Sequence, residues 1–255
     1  MMETLGFTSY MGCGNGMEDL ISCLWLPSDV DMINATLPLY KNNTPFVTYY
    51  VTVSGHAPYA YNSTGNSIAL KNIDYVKDLS YSNNVKAYLA TQIELDRALE
   101  ALIAGLEEEG ILEDTVIALV GDHYPYTLTI DEINELSDYE RDEVVEVNRS
   151  NFILWNSEME TVEVDKVGSE IDVLPTLLKY DSRLIVGKDI LSDTPGLAIF
   201  SNRSWVSDYG TYNSGKFTLK EGVTLEDEKE YIREMNTLVS NYFTLSSNII
   251  KYDMY

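Results

Sequence analysis

Residues 115–126, TVIALVGDHYPY, constrain this chain more than any other stretch. Thr115, Val116, Ile117, Ala118, Leu119 and Val120 form a short apolar run rich in β-branched residues. It predicts a strand buried on both faces. The run stops at Gly121, and Asp122, His123, Tyr124 and Pro125 follow. A carboxylate and an imidazole just past a buried strand sit where open α/β sheets place their ligand sites. The chain has 2 histidines. His56, the other, follows the strand-like run TPFVTYYVTVSG in the same way, so both histidines fall just past strand ends.

Read in order, residues 1–27 are irregular, broken by Gly6, Gly12, Gly14 and Gly16. Ser28 is an N-cap for a helix over 29–40, with Asp29 and Asp31 in its first turn. A first strand is expected over 46–53 and a tight loop over 54–59. Residues 60–80 read as polar loop. Residues 82–109 form the clearest helix, with Val85, Leu89, Ile93, Leu95, Leu99, Leu102, Ile103 and Leu106 at helical spacing and Gly110 as the stop. Strand, helix, strand predicts a βαβ unit and a parallel sheet with a right-handed crossover. A short helix is expected over 130–136 and a charged, exposed stretch over 138–146. A buried strand follows over 151–155, then a helix over 169–178 with Pro175 near its first turn or at a kink. A fourth strand falls at 196–200 and an antiparallel hairpin at 204–217. A C-terminal helix is expected over 224–244, capped by Thr224.

Composition narrows the function classes. With 17 Lys and Arg against 41 Asp and Glu, the formal net charge is −24, which leaves no basic face for nucleic acid. The same balance disfavours docking on an anionic membrane by charge. Hydrophobic residues make up 45 % of 255 residues, enough for a sizeable core in one large domain. Cys13 and Cys23 have no metal-site spacing, and two buried thiols are preferred to a pair. No stretch approaches the roughly 20 apolar residues of a membrane span, and no signal peptide is evident. The protein is then cytoplasmic, or its export and anchoring segment is not in this chain. The irregular start favours the second.

Asp122 and His123 together offer a hard oxygen and an imidazole nitrogen, donors that suit Mn²⁺ or Zn²⁺. Gly121 permits the turn that lets both address one point. The competing reading is an Asp capping a loop and a His packed on Tyr124, and spacing alone weighs the two equally. His56 reads as a ligand-facing donor or as a loop histidine bonded to backbone. The Glu107–Glu108–Glu109 run reads as a solvated helix end.

These motifs together resemble a known family. Thr52-Val53-Ser54-Gly55-His56-Ala57-Pro58-Tyr59, Gly121-Asp122-His123-Tyr124 and Asp172-Val173-Leu174-Pro175-Thr176-Leu177-Leu178 fall in the order found in lipoteichoic acid synthases, a group of the sulfatase-like, alkaline phosphatase superfamily. Tyr88, Asp96, Ala98 and Leu99 match a pattern in the helix before the second motif, and Leu5-Gly6-Phe7 resembles a segment before the first strand. The likeness covers most of residues 1–205.

The resemblance implies an α/β fold, a mostly parallel central sheet flanked by helices. In this N-terminally truncated form it is followed by a C-terminal antiparallel hairpin and helix. Residues 1–255 then form one catalytic-domain portion: an irregular lead-in (1–45), an α/β core (46–201) and a hairpin with helix (202–255). It implies Asp122 and His123 as ligands of a divalent metal, Mn²⁺ first, with Zn²⁺ or Mg²⁺ as alternatives. His56 becomes a substrate-binding residue that contacts phosphoglycerol. The implied partners are a phosphatidylglycerol-type lipid head group and a glycan or polymer acceptor, at the extracellular face of a bacterial membrane. The family's metal-binding Glu, nucleophilic Thr and phosphate-contacting Trp and Arg precede the Leu5-Gly6-Phe7 segment, so Glu3, Thr4 and Thr8 are not assigned to those roles. No catalytic nucleophile is expected within this chain. A sulfatase or phosphoethanolamine transferase of the same superfamily, and a binding module that kept the fold without the nucleophile, are the competing functions.

Overall fold

A computed structural model describes residues 6–61, 66–179 and 186–253. The chain divides into two compact units. The first comprises Met1–Ile117, Pro125–Glu140 and Leu154–Met159; the second comprises Ala118–Tyr124, Arg141–Ile153 and Glu160–Tyr255.

The first unit is built on helix packing. Helix α1 (Asp29–Tyr40) starts where the sequence places it, with Ser28 Oγ accepting from Asp31 N at 3.2 Å. Helix α3 (Asn83–Glu108) is capped by Ser82. Ile33 and Leu37 of α1 pack against Ala98, Leu102 and Leu106 of α3, with Phe46, Tyr50 and Ile117 around them. Gly105 permits the close approach, since a Cβ there would lie 2.3 Å from Leu37 Cδ2. The buried stripe of α3 runs through small residues, Ala87, Ala90, Thr91 and Ala98. The expected Leu89, Ile93, Leu95, Leu99 and Ile103 are only half-buried. A short helix α2 (Ser67–Asn72) interrupts the stretch read as loop, because the Asn66 side chain accepts from Ala69 N at 2.9 Å and caps it. Helix α4 (Ile130–Asn134) opens with a capping box between Thr129 and Glu132.

Strands β1 (Ile117–Val120) and β2 (Phe152–Trp155) pair in a two-stranded sheet. Both strands exist as expected, but neither is buried on both faces. Val120 and Ile153 are 46 % and 51 % exposed, because among the described residues nothing covers one face. Residues 46–53 have no ladder partner among the described residues and are not a strand; Val47, Tyr49 and Val51 are exposed.

In the second unit, a 3₁₀ turn (Glu170–Asp172) leads into α5 (Val173–Leu178), with Pro175 in the first turn of α5. The Asp172 carboxylate accepts from Ser169 N at 2.8 Å and Lys188 N at 2.7 Å. Thr176 Oγ1 donates to Asp172 O and accepts from Ile190 N at 3.0 Å. The third sequence motif is thus a structural tie that holds residues 188–190 against α5. Strands β3 (Leu197–Ile199), β4 (Trp205–Ser207), β5 (Gly210–Asn213) and β6 (Lys216–Leu219) form an antiparallel meander in that order. The fourth predicted strand therefore joins this antiparallel sheet and not a parallel core. Its register stacks Trp205, Tyr212 and Phe217 in one row. Helix α6 (Glu228–Tyr252) covers them through Tyr231, whose ring meets Trp205 edge-on at 5.9 Å. Trp205 is fully buried and donates its Nε1–H to Asn236 at 3.0 Å. Asp227, not Thr224, caps α6, by accepting from Glu230 N at 2.9 Å.

Cys13 and Cys23 are joined in a disulfide, with Cα atoms 5.8 Å apart, and not two thiols as expected. The reason is local. Asn15 N and Met17 N both donate to Gly12 O, folding the chain back on itself between the two cysteines. No described helix is long and apolar enough to cross a membrane.

Candidate active site

The loop carrying His56 is held from below by buried polar groups. Asp29, the first residue of α1, is 2 % exposed. Its two carboxylate oxygens accept from Val53 N at 2.9 Å and Ser54 N at 3.0 Å. Ser54 returns the bond, its Oγ accepting from Asp29 N at 2.8 Å. Burial pushes the Asp29 carboxyl up, against the lowering effect of these backbone N–H groups. His56 N closes a turn on Val53 O at 2.9 Å. Asn66, fully buried, donates to His56 O at 3.2 Å and Pro58 O at 3.1 Å. Tyr59 donates its hydroxyl to Gly55 O at 3.1 Å, and burial pushes its pKa up to about 12.

A second buried carboxylate lies beneath this support. Glu94 of α3 is fully buried. It accepts from Ser28 Oγ at 2.5 Å and Lys71 Nζ at 2.8 Å. Burial pushes Glu94 up, but the hydrogen bonds and charge of Lys71, with Ser28 and Asn72, outweigh it and hold the carboxyl below its ordinary range. The Ser28 hydroxyl thereby serves α1 as a cap and Glu94 as a donor.

Both histidines use one local device. His56 Nδ1 bonds the carbonyl of Ala57 at 3.0 Å, and His123 Nδ1 bonds that of Tyr124 at 2.8 Å. A carbonyl only accepts, so Nδ1 carries the proton in each ring. In the neutral ring Nε2 then carries the lone pair, the arrangement of metal-ligating histidines. In the second unit, His123 Nε2 stands 3.7 Å from Asp122 Oδ1. Asp122 is 84 % exposed at its side chain and His123 is 44 % exposed. Gly121 serves the turn through space and not through a positive φ: a Cβ there would meet Ser150 Oγ at 2.9 Å.

The predicted pair Asp122 and His123 is thus brought together in the second unit, and His56 stands in the first. Among the described residues no group of three or more His, Cys, Asp or Glu side chains converges as a metal site. The Asp122 carboxylate and the His123 imidazole are donors of the kinds that divalent ions take. Glu3 and Thr4 lie outside the described residues. Sequence reasoning missed Ser54, Asn66 and Glu94 and read Asp29 only as a first-turn acid. Glu94 carried a legible signal: an acid four residues from Ala90 and from Ala98 on the buried stripe of α3. His56 itself stands between aromatic rings, Trp25 edge-on at 5.0 Å and Tyr126 at 6.5 Å.

An α/β domain with an Asp–His pair just past strand β1, and a second histidine on a loop that no strand precedes among the described residues, is of sulfatase-like type. The chain belongs to the sulfatase family, whose model matches residues 1–180. It is similar to lipoteichoic acid synthase 2 of Bacillus subtilis, 26 % identical over 241 residues, which covers 89 % of this chain and 35 % of that protein. It is also similar to the lipoteichoic acid synthase of Staphylococcus saprophyticus, 24 % identical over 226 residues, covering 85 % of this chain and 34 % of that one. The crystal structure of the lipoteichoic acid synthase LtaP from Listeria monocytogenes shares the fold, with a TM-score of 0.66 at 22 % identity, over 94 % of this chain and 65 % of that chain. The chain spans about a third of the length of these curated relatives.

Proposed function

We propose that this chain is part of a metal-dependent phosphoglycerol transferase of the lipoteichoic acid synthase kind. It would act at the extracellular face of a bacterial membrane, on a phosphatidylglycerol-type lipid and a glycan or polymer acceptor. The observation that carries the reading is the Asp122–His123 pair, whose imidazole proton is committed to Tyr124 O while Nε2 faces the carboxylate. These two residues would hold Mn²⁺, or Zn²⁺ or Mg²⁺ in its place. Bound there, the ion would lower the pKa of an attacking hydroxyl and offset charge on phosphoryl oxygens. His56 would bind the glycerol end of the substrate, its ring fixed by Ala57 O and its backbone by Asn66. The Cys13–Cys23 disulfide supports an oxidising compartment. By the family resemblance the nucleophilic threonine and a glutamate ligand are not supplied by residues assigned here, so the 255-residue chain by itself is expected to turn over no phosphodiester.

The test is titration of the chain with Mn²⁺, followed by electron paramagnetic resonance. Weak binding is expected, since two ligands are short of a full shell, and Asp122→Ala and His123→Ala should each abolish it. Mn²⁺ binding that both variants retain would remove the basis of the reading. So would phosphodiester turnover by the purified chain overturn the assignment of the nucleophile.

A further inference from the structure

The imidazole of His56 is pinned at one point. Its Nδ1 donates to Ala57 O at 3.0 Å, a bond about which the ring can still swing. Trp25 meets the ring edge-on at 5.0 Å and Tyr126 at 6.5 Å, so Trp25 is the nearer stop. Edge-to-face pairs at such separations are attractive and directional, and fixing one ring restrains the other. Burial does not fix Trp25, which is 59 % exposed.

The backbone of Trp25 is gripped instead, from two sides. After it, Leu26 is buried and Pro27 O accepts from Ser54 Oγ at 3.3 Å, which ties this side to the turn before His56. Before it stands Cys23, bonded to Cys13. Among the described residues, the hydrogen bonds of the loop between the cysteines are local. Asn15 N and Met17 N donate to Gly12 O, Leu20 N and Ile21 N to Met17 O, and Leu24 N to Ser22 Oγ. Glu18 accepts from Gly14 N and Gly16 N. Met17 is the buried side chain of this loop and seats the turn at 12–17. The disulfide carries that anchorage to residue 23, two residues before Trp25. Cys13 is exposed, and exposed disulfides are the ones open to thiol attack.

We propose that Trp25 is a positioning residue for His56, and that the Cys13–Cys23 disulfide is the tether that keeps it in place. A dithiol then acts as a release. Its thiolate attacks Cys13 Sγ, and Cys23 leaves as a thiolate and takes a proton. The second thiol of the reagent displaces Cys13 in turn, so the reagent ends as a cyclic disulfide and the protein holds two thiols. Trp25 loses its grip on one side, and the His56 ring loosens while the rest of the unit stays folded. The inference rests on the proposed function only in calling His56 a substrate-binding residue, since the order of its ring is read without substrate or metal.

Imidazole proton–carbon NMR of the full chain in EDTA at pH 7 tests it. The chain has 2 histidines, and His123→Ala assigns their signals. Dithiothreitol should move the His56 signals to the positions they take in Trp25→Ala, where the ring-current displacement from the indole is lost. The His123 signals should stay in place, and reoxidation should restore the His56 positions. The double variant Cys13→Ser with Cys23→Ser should show the reduced positions without reagent. Trp25→Phe, which keeps an aromatic ring, should retain a displacement that Trp25→Ala loses. His56 signals that stay in place while mass spectrometry shows the gain of two hydrogens would overturn the tether. Signals unchanged in Trp25→Ala would overturn the positioning role. Loss of the circular dichroism spectrum on reduction would also sink the proposal, because the disulfide would then staple the unit as a whole. Every readout is taken without Mn²⁺, so failure here and failure of metal binding at Asp122 and His123 are told apart.

Discussion

Asp29 shows how much a single buried residue does for the candidate site. Its carboxylate accepts two backbone N–H groups that the turn before His56 leaves otherwise unpaired. Asparagine has the same shape but one acceptor oxygen, so Asp29→Asn turns an N–H of residue 53 or 54 against an amide NH₂. An unsatisfied buried donor costs about 1–3 kcal/mol. Asp29→Asn should therefore lower the free energy of unfolding by that amount, read from urea denaturation. It should also disorder the His56 loop, visible as lost amide-exchange protection at residues 53–56. A variant with wild-type stability and protection would show that the carboxylate is not what holds the turn. Asp29 was legible as a helix start, because Ser28-Asp29 is a capping signal. Its bonds to residues 53 and 54 were not, since nothing local in either segment specifies the other.

Helix α3 carries the same lesson on a larger scale. Its Ser82 cap is seen in the structure, while its length and its stop follow from periodicity and Gly110. Its orientation does not, because the sequence stripe of leucines and isoleucines is wider than the buried face. That face is set by small residues that let α1 and α2 approach, with Glu94 among them. Local chemistry also misplaced the start of α6, where Asp227 outcompetes Thr224 for the cap. It assigned residues 197–199 to the wrong sheet, because strand pairing depends on which edge is open. Glu94 turns this into a pH prediction. Its carboxyl is held below the ordinary value of 4.5, first against burial and then by Lys71, Ser28 and Asn72. A depressed pKa contributes stability that is present above about pH 4.5 and lost as pH falls through the folded value. Asp29 works in the opposite sense, its pKa raised above the ordinary 3.8 by burial, so its contribution is present below that value and lost as pH rises. Comparing wild type with Glu94→Gln isolates the first effect. The variant should be clearly less stable at pH 7, and the difference should shrink as pH falls below about 4. A difference that stays constant from pH 7 to pH 3 would mean that the ionised carboxylate is not the stabilising form.

At the scale of the whole molecule, charge competes with itself. The two histidine loops and the motifs in their order could be read from the sequence, though not the missing strand before His56, and so could the acid excess of 41 Asp and Glu over 17 Lys and Arg. What the acid excess does to stability depends on where the few cations stand. The ion pairs Lys77–Asp74 at 2.7 Å and Lys220–Asp165 at 3.3 Å are exposed, and pairs of this kind contribute about 0–1 kcal/mol each. Against them stands the mutual repulsion of a chain with a net charge of −24. Salt screens both, since the Debye length falls from about 30 Å at 0.01 M to about 8 Å at 0.15 M ionic strength. Contacts of a few ångströms between opposite charges lose little over that range, while repulsion summed across the surface loses most of its reach. Added sodium chloride should therefore stabilise the fold. The midpoint of thermal unfolding should rise by about 2–4 °C per kcal/mol of repulsion relieved between 0.01 M and 0.15 M salt. Calorimetry at fixed pH 7 reads this directly. A midpoint that falls with salt would show that the exposed ion pairs, and not the acid surface, dominate the electrostatics of the folded chain.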